Sequence, residues 1–196
     1  MTEKEKMQQG LLYQVLDEEL QQLESKCREL LYKYNHALPA DISLKTNILR
    51  ELFGTFNFDV HIVPNFLCMF GFNIHFEGKA IINTNCTMLD SAPIRLGENV
   101  FVGPGTCFAA ASHPLLAEQR NIGLCYSEPI TVEKDVWIGA NCSILGSVTI
   151  GSRSVIGAGS VVTKDIPSGV IAIGNPCKVL REISENDRMN FPEIFI

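Results

Sequence analysis

The chain has 196 residues, 46% hydrophobic, 8% aromatic and 19% charged, with 16 Lys plus Arg against 22 Asp plus Glu for a formal charge of −6. That length suits one domain of ordinary size with a small appendage. The acidic balance lacks the basic footprint of a general nucleic-acid binder, and so apolar a chain is not intrinsically disordered.

The first segment, Met-Thr-Glu-Lys-Glu-Lys, carries both charge signs and runs into Gln and Leu, so no signal peptide is expected. No stretch reaches the roughly 18–20 uninterrupted apolar residues of a spanning helix, and no membrane partner is expected. Residues 1–57 read as an α-helical cap. Leu12, Val15, Leu16, Leu20, Leu23, Cys27, Leu30 and Leu31 recur at spacings of three and four. The run Asn35-His36-Ala37-Leu38-Pro39 breaks that pattern. A second amphipathic helix is expected from Ile42 to Phe53, stopping at Gly54.

From residue 58 the pattern changes to short apolar steps punctuated by glycine. Ile138, Ile144, Ile150, Ile156 and Val162 are six residues apart; Leu96, Val102 and Phe108 keep the same step. Ile82, Met88 and Ile94 also do, shifted by two residues from the next set. Six residues supply one short strand and one turn, and three such units close a triangular coil. The expectation is a mainly β protein. Residues 58–180 form a left-handed parallel β-helix, a hand that departs from the usual right-handed crossover. The repeated aliphatics point inward, small residues pack near the corners, and the 15 glycines help the tight turns. Residues 181–196 form a C-terminal tail.

The six-residue register stops after Phe108 and resumes at Val132, leaving 109–131 as an excursion loop. Long irregular loops tend to be functional. This one opens with Ser112-His113-Pro114. His36 falls at a helix terminus, and His61 and His75 flank the first coils. His113 alone leaves a rigid scaffold, where a side chain is usefully held and can take a hydroxyl proton near neutral pH. The seven cysteines form no CxxC and have no His at zinc-finger spacing, which fits a reduced cytoplasmic chain. A metalloenzyme on such a solenoid needs three His ligands. His61, His75 and His113 lie far apart in the chain, so no metal is expected.

These stretches resemble the maltose and galactoside O-acetyltransferases of the hexapeptide acyltransferase superfamily. The matching segments are Glu-Lys-Glu-Lys-Met with the later Gly-x-Leu-Tyr, Tyr34-Asn35-His36, Asn83 to Asp90 (Asn-Thr-Asn-Cys-Thr-Met-Leu-Asp) and Ser112-His113-Pro114. Val136-Trp137-Ile138-Gly139, Val155 to Pro167 and Gly174 to Val179 complete the series. The resemblance implies an acetyl-CoA-dependent O-acetyltransferase acting on a hydroxyl of a sugar or other small acceptor. It also implies a homotrimer with active sites between subunits. His113 then acts as general base, and Asn83 holds the acceptor and the developing charge. Acetyl-CoA, the acetyl-donor substrate, runs along Ala140, Ala158, Thr163, Lys164, Lys178 and Arg181. Trp137 packs either against the cofactor arm or as a core anchor.

The acceptor end departs from the family pattern. Met69 and Val15 stand where the relatives carry polar or acidic groups, whereas Asp90 matches the maltose-type acid. A hydroxyl-rich sugar leaves groups unpaired against Met69 and Val15, so a less polar hydroxyl compound is expected to fit. The competing reading is a catalytically silent solenoid serving as a binding or assembly module.

Overall fold

The computed structural model describes residues 1–56 and 59–190. The division expected between residues 57 and 58 lies outside the described residues, as does the end of the tail. The chain opens with α1 (Glu3–Gln8), where the Thr2 hydroxyl accepts from the Glu5 amide and the Glu5 carboxylate accepts from the Thr2 amide. The long helix α2 (Glu18–His36) starts at Asp17, whose carboxylate accepts from the amides of Glu19 and Leu20. The expected helical run through Leu12, Val15 and Leu16 is therefore corrected. Those residues precede the cap, and Leu16 is 72% exposed. The segment before the cap is held in extended form instead, because Tyr13–Gln14 pairs as a strand with Leu124 and Cys125. Helix α3 (Ile42–Leu52) falls where the spacing put it and buries Ile48, Leu49 and Leu52.

Two neighbouring residues dock α2 onto the first coil. The Tyr34 hydroxyl donates to the Ile62 carbonyl at 2.6 Å. Asn35 donates through Nδ2 to the Phe66 carbonyl and accepts through Oδ1 from the Phe66 amide. With that join, the buried face of α2 (Cys27, Leu30, Leu31, Tyr34) becomes part of the solenoid core.

The remainder is a left-handed β-helix of about six turns with three parallel faces. Face 1 stacks the strands Val60–Ile62, Ala80–Ile82, Val100–Val102, Trp137–Ile138, Val155–Ile156 and Val170–Ile173, closed by an antiparallel strand Lys178–Glu182. That last strand crosses the expected start of the tail at residue 181. Face 2 stacks Phe66–Cys68, Cys86–Leu89, Cys107–Ala109, Ser143–Leu145 and Val161–Val162. Face 3 stacks Ile74–Phe76, Ile94–Leu96, Ile130–Val132 and Thr149–Ile150. Ile82, Met88, Ile94, Leu96, Phe108, Ile138, Ile144, Ile150, Ile156 and Val162 all point inward with no exposed surface. Each burial of this kind stabilises by about 1.5–3 kcal/mol.

The two-residue shift in the repeat has a structural cause. Val60 pairs with Ala80 and Ala80 with Val100, a step of 20 residues, whereas Trp137 pairs with Val155 at a step of 18. The extra pair sits at the corner between faces 2 and 3, around Asp90.

The glycines of the repeat do two jobs. Gly105, Gly159 and Gly169 take the expected turn conformation, with φ of +71°, +72° and +73°. Backbones with φ near +60° also occur at Asn85, Asn99, Asp135, Asn141, Ser147 and Arg153, but not at the glycines that follow the inward aliphatics. Those glycines are needed for close approach. A Cβ on Gly103 would lie 2.6 Å from the Ala140 amide nitrogen, and one on Gly139 would lie 2.6 Å from that of Ala158.

The excursion is also more ordered than an irregular loop. Face 3 resumes at Ile130, which pairs with Ile94. Between the coils, Ala111–Ser112 and Leu124–Ser127 form an antiparallel pair, with a short helix α4 (Ala117–Asn121) at its tip. Leu124–Ser127 then pairs on its other side with Tyr13–Gln14, so the excursion and the N-terminal segment make one three-stranded sheet. No helix among the described residues is long and apolar enough to cross a membrane.

Candidate functional site

Face 2 and its two edges collect most of the chemistry-bearing residues. Its outward row runs Leu67, Thr87, Cys107, Ser143 and Val161, and a second row runs Leu89, Ala109 and Leu145. The edge between faces 1 and 2 carries Asn83, then Gly103 on the next coil, and Ala140 and Ala158 on the two coils after that. Asn83 follows the strand Ala80–Ile82, and its amide donates to the Val102 carbonyl. Its side-chain Oδ1 accepts from the Thr84 amide at 2.8 Å, which leaves Nδ2 to donate outward. Ala140 and Ala158 stand beside the close-packed glycines, where the absence of longer side chains leaves a flat track along the coils.

The opposite edge, between faces 2 and 3, carries His113 where the excursion departs and Thr163-Lys164 two coils later. His113 is exposed. Its Nδ1 lies 3.4 Å from the Leu124 carbonyl and 3.2 Å from the Cys125 Sγ, both on the facing strand. When Nδ1 donates to that carbonyl, Nε2 keeps its lone pair and can accept a proton.

The acceptor-end residues converge on a second small core. Met7, Tyr13, Leu20, Phe70 and Cys125 form it, with Val15 and Met69 packed against its margin. Val15 also donates its amide to the Gly123 carbonyl at the tip of the excursion. Thus Val15, Met69 and, through Cys125, His113 are brought together although they lie far apart in sequence.

Asp90 does not reach solvent. It is fully buried, its Oδ1 accepts from the amides of Met69 and Phe70 at 2.9 Å, and its Oδ2 accepts from the Asn73 amide. Burial pushes its carboxyl up, against the lowering effect of those three amides. Asp90, expected as an acceptor contact, instead fixes the backbone beneath Met69. Ser91 adds to that hold by donating its hydroxyl to the Met69 Sδ at 3.2 Å.

The remaining residues lie apart. Trp137 is 56% exposed on face 1, in register with Phe101 and Val155, so the core-anchor reading is excluded. Lys178 and Arg181 lie on the closing antiparallel strand, both exposed. The Arg181 guanidinium grips the Asp187 carboxylate through two bonds of 2.8 and 2.7 Å and holds that carboxyl down at about 2. Sequence reading noted Ser91 only as the residue after Asp90, where galactoside enzymes carry a second acid, and gave no site role to Leu124 or Cys125. No spacing marks them, because their partners are set by strand pairing and a corner. Among the described residues, no three His, Cys, Asp or Glu side chains converge as metal ligands.

Residues 6–57 match the maltose acetyltransferase hexapeptide capping motif, and residues 129–164 match the bacterial transferase hexapeptide of six repeats. The chain is 37% identical over 184 residues to the galactoside O-acetyltransferase of Escherichia coli strain K12, an alignment covering 94% of this chain and 91% of that protein. Its fold matches the crystal structure of a maltose O-acetyltransferase from Clostridium difficile 630 with a TM-score of 0.92 and 40% identity, covering 94% of this chain and 99% of that one. A hexapeptide-repeat acetyltransferase from Vibrio cholerae, solved with acetyl coenzyme A, matches with a TM-score of 0.84 and 39% identity over 94% of this chain and all of that one (100%).

Proposed function

Because the chain belongs to the maltose and galactoside O-acetyltransferase family of hexapeptide-repeat proteins, and is itself an acetyl-CoA-dependent O-acetyltransferase, we infer that His113 is its general base and Asn83 its hydrogen-bond donor. The observation that carries this reading is the imidazole held by one nitrogen against the Leu124 carbonyl and open at the other. Nε2 takes the acceptor hydroxyl proton as the acceptor oxygen attacks the thioester carbonyl of the donor. The new C–O bond forms, the C–S bond breaks, and the proton held on His113 passes to the departing thiolate. Asn83 Nδ2 donates to the charge that develops on oxygen without adding a titrating group.

This route uses no acyl-enzyme and no metal. The thiols of Cys68, Cys86, Cys107, Cys125, Cys142 and Cys177 are all pushed up, chiefly by burial, which suits them to packing and not to nucleophilic attack. Ala140 and Ala158 leave room for the donor arm, while Thr163, Lys164, Lys178 and Arg181 supply hydrogen bonds and positive charge for its phosphates. All seven cysteines are free thiols, which supports a reducing cytoplasm.

The working form is a homotrimer with sites between subunits. Asn83 and His113 lie on different edges of one prism. The outward row of face 1, Ile81, Phe101, Trp137, Val155 and Ile171, offers an apolar surface for neighbouring copies. Mixing His113→Ala and Asn83→Ala subunits tests this arrangement. Regained activity in mixed oligomers is the expected result. A mixture no more active than either parent places the site within one chain.

A further inference from the structure

Between α2 and the outward surface of face 2 lies a cavity of about 490 Å³, within the range of small-molecule sites. Its floor is Leu31, Leu67, Cys68, Met69, Thr87 and Leu89. The stronger polar groups around it are engaged with each other. Asn35 spends both ends of its amide on Phe66, Arg28 pairs with Glu24, and His36 bonds the Tyr32 carbonyl and stacks on its ring. At Met69 the amide is held by Asp90 and the sulfur by Ser91.

The cavity shares Met69 with the acceptor end of the site. Thr87 is in register with Cys107 and Leu89 with Ala109, one coil before the excursion that carries His113. Met69 packs on the small core that includes Cys125, the neighbour of His113. Ala140, Ala158 and Lys164 lie on later coils, at the donor end.

We propose that this cavity holds the body of the acceptor, and that the acceptor is an alcohol with an aromatic or branched-alkyl body. The proposal rests on the assignment of Asn83 and His113 above. A hydroxyl-rich ring placed here gives up hydrogen bonds to water and finds mostly Leu and Met carbon and sulfur in return. An apolar body loses nothing and gains contact with the same walls.

The test uses the full-length protein saturated with acetyl-CoA or CoA and labelled at its methionine methyls, of which there are five, with Met69 assigned through Met69→Leu. The probes are 2-phenylethanol and cyclohexylmethanol against methyl galactoside and glucose. The apolar alcohols are expected to shift the Met69 signal and to show kcat/KM at least about tenfold above the sugars. Met69→Ser is expected to cut that preference about tenfold while leaving the Kd for acetyl-CoA unchanged. A Met69 signal moved only by sugars, or by neither class, overturns the proposal, as does a preference for sugars. A second copy of the chain covering the cavity would give the unmoved signal. Failure to bind acetyl-CoA is a separate result, and it defeats the acetyltransferase assignment instead.

Discussion

At His113 two neighbours compete for one nitrogen. The Leu124 carbonyl can only accept from Nδ1, whereas the Cys125 thiol can also donate to it. Donation from Nδ1 to the carbonyl goes with the tautomer that has a free Nε2, the one the general-base role requires, and donation from the thiol goes with the other. Cys125→Ala is expected to keep kcat within about threefold of the parent, since a buried high-pKa thiol contributes no nucleophile. Loss of turnover in that variant, measured by thiol release, would place the sulfur in the chemistry. Arg181 makes a second residue-level case, because its bidentate pair with Asp187 must open for it to meet a phosphate. Asp187→Asn is expected to tighten acetyl-CoA binding about two- to fivefold, the scale of an exposed ion pair, read by calorimetry. His113 was legible because it leaves a rigid repeat; Cys125 was not, because only antiparallel pairing across the excursion brings it near.

The repeat shows the same division among elements. The inward positions could be read directly, since a stack of Ile and Val at a step of six has few other uses. The close-approach role of Gly103 and Gly139 could not, because sequence does not show how closely one coil lies on the next. Gly139→Ala is expected to cost about 1–3 kcal/mol by forcing the coil at Ala158 away. Gly159, with φ +72° and nothing within 4 Å of a built Cβ, is expected to accept Asn at little cost. Comparing the two variants by thermal unfolding checks the account, and equal losses would return the repeat glycines to turn-making. The helical cap was only half legible, for Leu12, Val15 and Leu16 kept a helical spacing that the Asp17 cap and the Tyr13–Gln14 pairing overrode. The corner at Asp90 makes a related prediction. Asp90→Ala leaves the Phe70 and Asn73 amides unpaired, at about 1–3 kcal/mol for each, while the Met69 amide keeps the Met88 carbonyl. It is expected to raise the acceptor KM along with lowering the melting temperature.

Across the whole molecule, the surface is divided by chemistry. Face 3 presents His75, Arg95, Thr131 and Thr149 outward, a polar row facing water. Face 1 presents an apolar row, and face 2 holds the cavity, the flat track beside Ala140 and Ala158, and both candidate catalytic edges. The fold and the reaction class were legible because motif order and repeat spacing run along the chain. The acceptor end was less so, since Val15, Met69, Asp90 and His113 meet only through the excursion and the N-terminal strand. The central claim is direct acetyl transfer with His113 as base, and thiol release from acetyl-CoA in the presence of an acceptor tests it most directly. The account predicts that His113→Ala lowers kcat by about 10²–10⁴ while still binding acetyl-CoA, and turnover by that variant at the parent rate would contradict it.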